Sequence, residues 1–153
     1  MSATDTDNYT FVTLVSDYLG PNTQPANAFT NVLPETLLLK GNPLQVALFN
    51  FTYKWATNKQ IDNTQITVNA DIALGNEIVG GSFTNAIRVV ALEPPNPNPN
   101  PNTVYQAWNA PNLQWIDCTG GSISSISIEF GTFELAKPDF IDRTTVTLAF
   151  RGL

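Results

Sequence analysis

The chain predicts an all-β fold, an eight-stranded antiparallel jelly-roll sandwich of two four-stranded sheets, and three observations predict it. Apolar residues recur at every second position in several segments, Gly, Pro, Asn and Asp cluster between those segments, and no segment carries a convincing apolar stripe of helical period. Strands joined by connections of uneven length suit a double-sheet sandwich, whose Greek-key crossings need both short hairpins and long loops.

Strands are expected near residues 9–18, 28–33, 44–53, 65–74, 83–92, 103–116, 122–130 and 144–151. Gln65 to Leu74 alternates most plainly, with Ile66, Val68, Ala70, Ile72 and Leu74 on one face and Gln65, Thr67, Asn69 and Asp71 on the other. The last strand places Val146, Leu148 and Phe150 on one side and Thr145, Thr147 and Ala149 on the other. In SISSISIEF, Ile126, Ile128 and Phe130 alternate while Ile123 is out of phase, so a bulge is expected near Ser124 and Ser125. LPETLLLKG has room for one helical turn at most before Gly41 and Pro43.

Leu44 to Tyr53 is different. Leu44, Val46 and Leu48 share one face, whereas Ala47, Phe49, Phe51 and Tyr53 share the other, so both faces are apolar. A strand covered on one side by the core should be polar outside. The second face, with Phe49, Phe51 and Tyr53, is therefore expected at a subunit contact or under the N-terminal arm.

The run EPPNPNPNPNT, Glu93 to Thr103, holds five prolines in eight positions and can be neither helix interior nor central strand. Splitting the chain there would leave a second piece of about 50 residues, too short to stabilise itself with ease. One domain is expected over residues 9–153, behind a flexible arm of residues 1–8. The run then reads as a stiff polyproline-II loop that presents Asn96, Asn98 and Asn100 to solvent. If the strands are lettered B to I, the B–C, D–E, F–G and H–I loops gather at one end of the sandwich, bringing residues 19–27, 93–102 and 131–143 together.

Only 13% of the residues are charged, roughly half the usual share, a composition suited to faces that meet other proteins. Net charge is −6 with no basic run, which argues against capture of nucleic acid or an anionic membrane. Apolar runs are far too short to span a bilayer as a helix, so no membrane insertion is expected. The segment MSATDTDNYT has neither a basic n-region nor an apolar h-region, so the chain is expected to be made in a cytosol or to have lost a targeting segment.

Histidine is absent, which excludes imidazole-based nucleophilic catalysis and histidine metal sites, and the one cysteine, Cys118, reads as a small buried hydrophobe. No dinucleotide-binding or phosphate-loop motif occurs. Asp139 and Asp142 are too few for calcium, which wants six to eight oxygens. No enzymatic activity, cofactor or metal is expected. Trp55, Trp108 and Trp115, with Tyr53 and Tyr105, could form a sugar-stacking platform, although such rings more often fill cores or interfaces.

Two stretches carry a resemblance. AFTNVLPETLLLKGNPLQVALFNFTY, Ala28 to Tyr53, and GGSISSISIEFGTFELAKPDFIDRTTVTLAFR, Gly120 to Arg151, are similar to the single jelly-roll vertex (penton) capsid proteins of virophages, polinton-like viruses and related large DNA viruses. Many members are longer and carry an inserted domain, for which only the Asn-Pro loop could substitute. The resemblance implies a virion protein made in the host cytoplasm. It implies a homopentamer at the fivefold vertices of an icosahedral capsid, with neighbouring major capsid protein as partner. A receptor- or glycan-binding fibre head and a carbohydrate-binding module are the alternatives.

Overall fold

The computed structural model describes residues 9–39, 44–55, 65–74, 77–79, 82–92, 105–119, 121–132 and 138–152. The arm at residues 1–8 and the loop containing Asn96, Asn98 and Asn100 lie outside them. The described residues form strands and no helix: β1 Thr10–Val15, β2 Ala28–Leu39, β3 Leu44–Tyr53, β4 Gln65–Ala70, β5 Glu77–Val79, β6 Ser82–Thr84, β7 Ala86–Ala91, β8 Gln106–Asn109, β9 Ile116–Cys118, β10 Gly121–Thr132 and β11 Thr145–Gly152. A five-stranded antiparallel sheet, ordered β1-β11-β3-β8 with β9 also on β3, packs as a β-sandwich on a four-stranded sheet ordered β2-β10-β4-β7.

Eleven strands thus stand among the described residues where eight were expected, and the sheets hold five and four strands instead of four each. The segment expected as one strand over 103–116 is two short pieces, β8 and β9, and the connection between β4 and β7 contains its own hairpin, β5–β6. The strand expected to run to Leu74 ends at Ala70, and Leu74 is exposed.

The residues expected to form at most a helical turn instead continue β2 to Leu39. Position in the sheet explains this, because β2 is an edge strand, where a proline's missing donor can face away from the ladder. Pairing with β10 breaks around Pro34, jumping from Val32↔Ser125 to Leu37↔Ile123. The same irregularity restores the phase of β10, so Ile123, Ile126, Ile128 and Phe130 are all buried.

A bulge also settles the two apolar faces of β3. Thr147 of β11 pairs with Asn50 and Leu148 with Leu48, leaving Phe49 as the extra residue. Leu44, Val46 and Leu48 before the bulge and Phe51 and Tyr53 after it therefore all enter the core. Phe51 and Tyr53, expected at a subunit contact or under the N-terminal arm, are 0% and 1% exposed and belong to the core between the sheets, whereas Phe49 is 40% exposed.

The core closes on an aromatic chain that joins the two sheets. Phe51 of β3 lies 5.4 Å from Phe130 of β10 and is stacked 5.6 Å from Trp108 of β8, between ring centroids. Phe140, in the connection between β10 and β11, packs on Phe130, Tyr53 and Trp55 at 5.3, 5.1 and 5.0 Å. Such offset and edge contacts suit ring quadrupoles and add about 0.5–1.5 kcal/mol per pair beyond area burial.

Asn31 fastens β2 to β1 across the sheets. Its amide accepts from the Val15 N–H at 3.1 Å and donates to the Val15 carbonyl at 2.8 Å, satisfying both groups of a buried polar side chain.

Cys118 is buried, as its isolation in the sequence suggests. Burial, and then the Asp117 charge, pushes its thiol from 9.0 up to about 11. The unfolded thiol ionises first, so its stabilising contribution is full below pH 9 and is lost as pH rises through about 11. At pH 8 only about one native thiol in a thousand is thiolate. A thiol reagent such as DTNB is expected to label the denatured chain at once and the native protein only as it unfolds; prompt native labelling would contradict this placement.

Candidate interaction surface

The outward face of the five-stranded sheet follows directly from the phases of its strands. With Val12 and Leu14 of β1, Val146, Leu148 and Phe150 of β11, and Leu44, Val46 and Leu48 of β3 turned inward, the alternate residues face out. They align across the sheet as Phe11, Ala149 and Ala47 in one row and as Arg151, Gln45 and Asp117 in the next.

Four aromatic rings roof this face. Phe11 lies 5.1 Å from Phe49 and 6.5 Å from Tyr9, and Tyr9 lies 5.0 Å from Trp115. Beneath them Ala47 and Ala149 are 0% exposed although they point outward. The methyl groups leave room for the rings to lie close to the sheet. Phe11 is nevertheless 50% exposed, so with Phe49 it presents apolar surface to solvent.

A polar border runs along one side. The Arg151 guanidinium sits 4.2 Å over the Trp115 ring, and its Nε donates to Gln45 Oε1 at 3.0 Å. Gln45 Nε2 in turn donates to Asp117 Oδ1 at 3.0 Å. On the other side lie uncharged residues, where Thr13 and Thr147 share a hydroxyl hydrogen bond of 3.0 Å. The face is thus an aromatic centre with one cation and one anion, bridged by Gln45, at its rim.

The loops gather at one end, as expected for two of the three connections. Ser16 and Thr144 exchange hydrogen bonds of 3.0 and 2.9 Å, and Asn27 donates to the Pro138 carbonyl at 2.9 Å. Lys54 pairs with Asp142 at 2.7 Å and lies 5.3 Å over Tyr105, while Arg143 pairs with Asp17 at 2.7 Å. The Asp17 hydrogen bond raises the Arg143 guanidinium above its usual range. These exposed pairs each contribute little to stability. Residues 93–102 lie outside the described residues, but Tyr105, a few positions later, stands at this end. Asp142 adopts φ 61°, a left-handed conformation that aspartate tolerates better than most side chains.

The tryptophans do not combine into a platform. Trp55 is in the core, Trp108 is stacked on Phe51 and capped by Arg88 at 5.0 Å, and Trp115 is packed by Tyr9 and Arg151. Tyr53 is likewise buried, which leaves Tyr105 exposed alone of the five rings. Among the described residues no three Asp, Glu, Cys or His side chains come together as a metal site.

Sequence reasoning found Phe49 but missed Phe11, Tyr9 and Trp115 as its companions. Their common face depends on pairing β1 with β11 and β11 with β3, contacts between residues more than 90 positions apart. Comparison with protein-family models and with curated proteins finds no match for the chain.

Proposed function

We propose that this protein is a non-enzymatic capsid subunit, the vertex (penton) protein of an icosahedral DNA virus, built on a jelly roll and assembled as a homopentamer. The strand order supports the jelly roll. When β8 and β9 are taken as one interrupted strand and the β5–β6 hairpin is set aside, eight strands remain. Lettered B to I, they run B-I-D-G in one sheet and C-H-E-F in the other, the order of two interleaved Greek keys.

The observation that carries assembly is the charge-poor outer face with exposed Phe11 and Phe49. A chain of net charge −6 repels its copies unless they meet through a surface with little charge of its own. A ring of five then uses a heterologous contact, in which this face of one subunit meets a different flank of the next. Neighbouring major capsid protein would meet the outer sides of the ring. The loop end, with its opposed Asp17–Arg143 and Lys54–Asp142 pairs, presents the polar surface suited to solvent.

Sedimentation of the purified protein at near-physiological salt tests the proposal. A pentamer has a mass of about 84 kDa, five times the 16.7 kDa chain. A trimer would favour a fibre head, and a strictly monomeric protein that binds glycans would favour a carbohydrate-binding module.

A further inference from the structure

The five-stranded sheet ends in β1 on one side and in β8 on the other, and among the described residues neither strand pairs along its outer edge. The backbone groups left open there follow from bonds already formed. Asn31 of the other sheet takes both the N–H and the carbonyl of Val15, so Val15 turns both groups away from β11. Alternate residues turn theirs the same way, which leaves Thr13 and Phe11 with open donors and acceptors. On β8 the Ala110 N–H donates to the Phe49 carbonyl at 3.0 Å, so Trp108 and Gln106 also bond to β3 while Asn109 and Ala107 face the open edge. β9, on the same side, is not open: Leu74 N–H donates to its Asp117 carbonyl at 3.0 Å and Ala73 bridges to Cys118.

We infer that the β1 edge of one subunit adds to the β8 edge of a second copy, joining their five-stranded sheets through backbone hydrogen bonds. The two edges fit each other in direction, face and charge. Successive antiparallel pairs make β1 and β8 run oppositely, and rotation about an axis along the strands preserves direction, so β1 meets the β8 of a rotated copy antiparallel. Phe11 and Thr13 point outward from the sandwich, as do Ala107 and Asn109, whereas Trp108 between them turns in onto Phe51. Setting Phe11 opposite Asn109 and Thr13 opposite Ala107 therefore keeps outward side chains with outward ones, each pair exchanging both N–H···O bonds. Neither TFVTLV nor QAWN holds a charge or a proline, and neither strand's register is interrupted. Edges that must stay single carry such devices. The other sheet has them, Pro34 with a broken register on β2 and Arg88 on β7. In a chain of net charge −6, uncharged edges are also where copies approach with least repulsion.

The inference rests on the ring proposed above and names the flank that the Phe11 side of one subunit meets in the next. Sedimentation of Thr13→Pro, Ala107→Pro and Thr13→Ala tests it. Each proline removes an N–H that faces the open edge and breaks no backbone bond within the subunit, a place where proline is tolerated. Thr13→Ala loses the same Thr147 hydroxyl contact but keeps the N–H. Both proline variants are expected to keep native circular dichroism and to need a concentration at least about tenfold higher to assemble, with Thr13→Ala assembling as the unmodified chain does. Deuterium exchange resolved to single residues gives a second reading without those substitutions. The Phe11, Thr13, Ala107 and Asn109 amides should exchange at least about tenfold more slowly in the assembly than in the Phe49→Asp monomer. If a proline variant loses its native circular dichroism, this exchange comparison decides alone. An assembly of about 84 kDa in which both prolines are without effect and the four amides exchange at the monomer rate would overturn the inference and leave the ring standing. A dimer protected on β1 alone would overturn it in favour of β1 pairing with itself, and a monomer at every concentration would overturn both.

Discussion

Replacing Phe51 by alanine is expected to lower the unfolding free energy by about 3–5 kcal/mol, the cost of truncating a fully buried aromatic side chain. Phe51 is 0% exposed, and its ring touches Tyr53 on its own strand, Trp108 on the neighbouring strand and Phe130 on the opposite sheet. These rings cannot all collapse into the space it leaves, because Tyr53 and Phe130 are also held by Phe140. A domain of this size has a total stability of about 5–15 kcal/mol, so the loss is a large share of it. Urea denaturation should show an earlier midpoint at unchanged slope. Thr52→Ala, one residue away with its side chain turned out of the core, should shift stability by no more than about 0.5 kcal/mol. A Phe51→Ala loss below about 1 kcal/mol would mean that β3 carries no bulge and that this ring faces outward.

The second large effect is expected at Phe49, two positions earlier and on the opposite side of the sheet. Phe49→Asp should leave the fold intact, costing about 1 kcal/mol for the lost contact with Phe11. It should nonetheless abolish assembly. Placing a carboxylate in the apolar centre of a subunit contact costs 2 kcal/mol or more, about 30-fold in affinity, and a ring repeats that cost at every interface. Sedimentation checks it: the variant should run at 16.7 kDa with native circular dichroism. An unchanged assembly would remove this face from the subunit contact.

The contrast between these two residues marks where the sequence was legible and where it was not. In β11, Val146, Leu148 and Phe150 alternate without interruption, and all three are in the core. In β3 the same rule placed Phe49, Phe51 and Tyr53 together, because one inserted residue reverses every later side chain without leaving a mark in composition. The bulge in β10 was readable because the isoleucines themselves change phase around Ser124.

Breaker residues misled for a related reason. A strand over 28–33 followed by at most one helical turn before Gly41 and Pro43 was expected, yet β2 continues to Leu39 because an edge strand can leave Pro34 unpaired. The aromatic face was harder still to read. Phe11 and Trp115 look like isolated apolar residues in sequence, and only the antiparallel neighbours supply Ala149 and Ala47 beneath the rings.

The mass of the unmodified protein in near-physiological salt, measured by sedimentation over a range of concentrations, tests self-assembly most directly. A species of about 84 kDa that persists on dilution is the predicted result. A single species of 16.7 kDa at every concentration would contradict it.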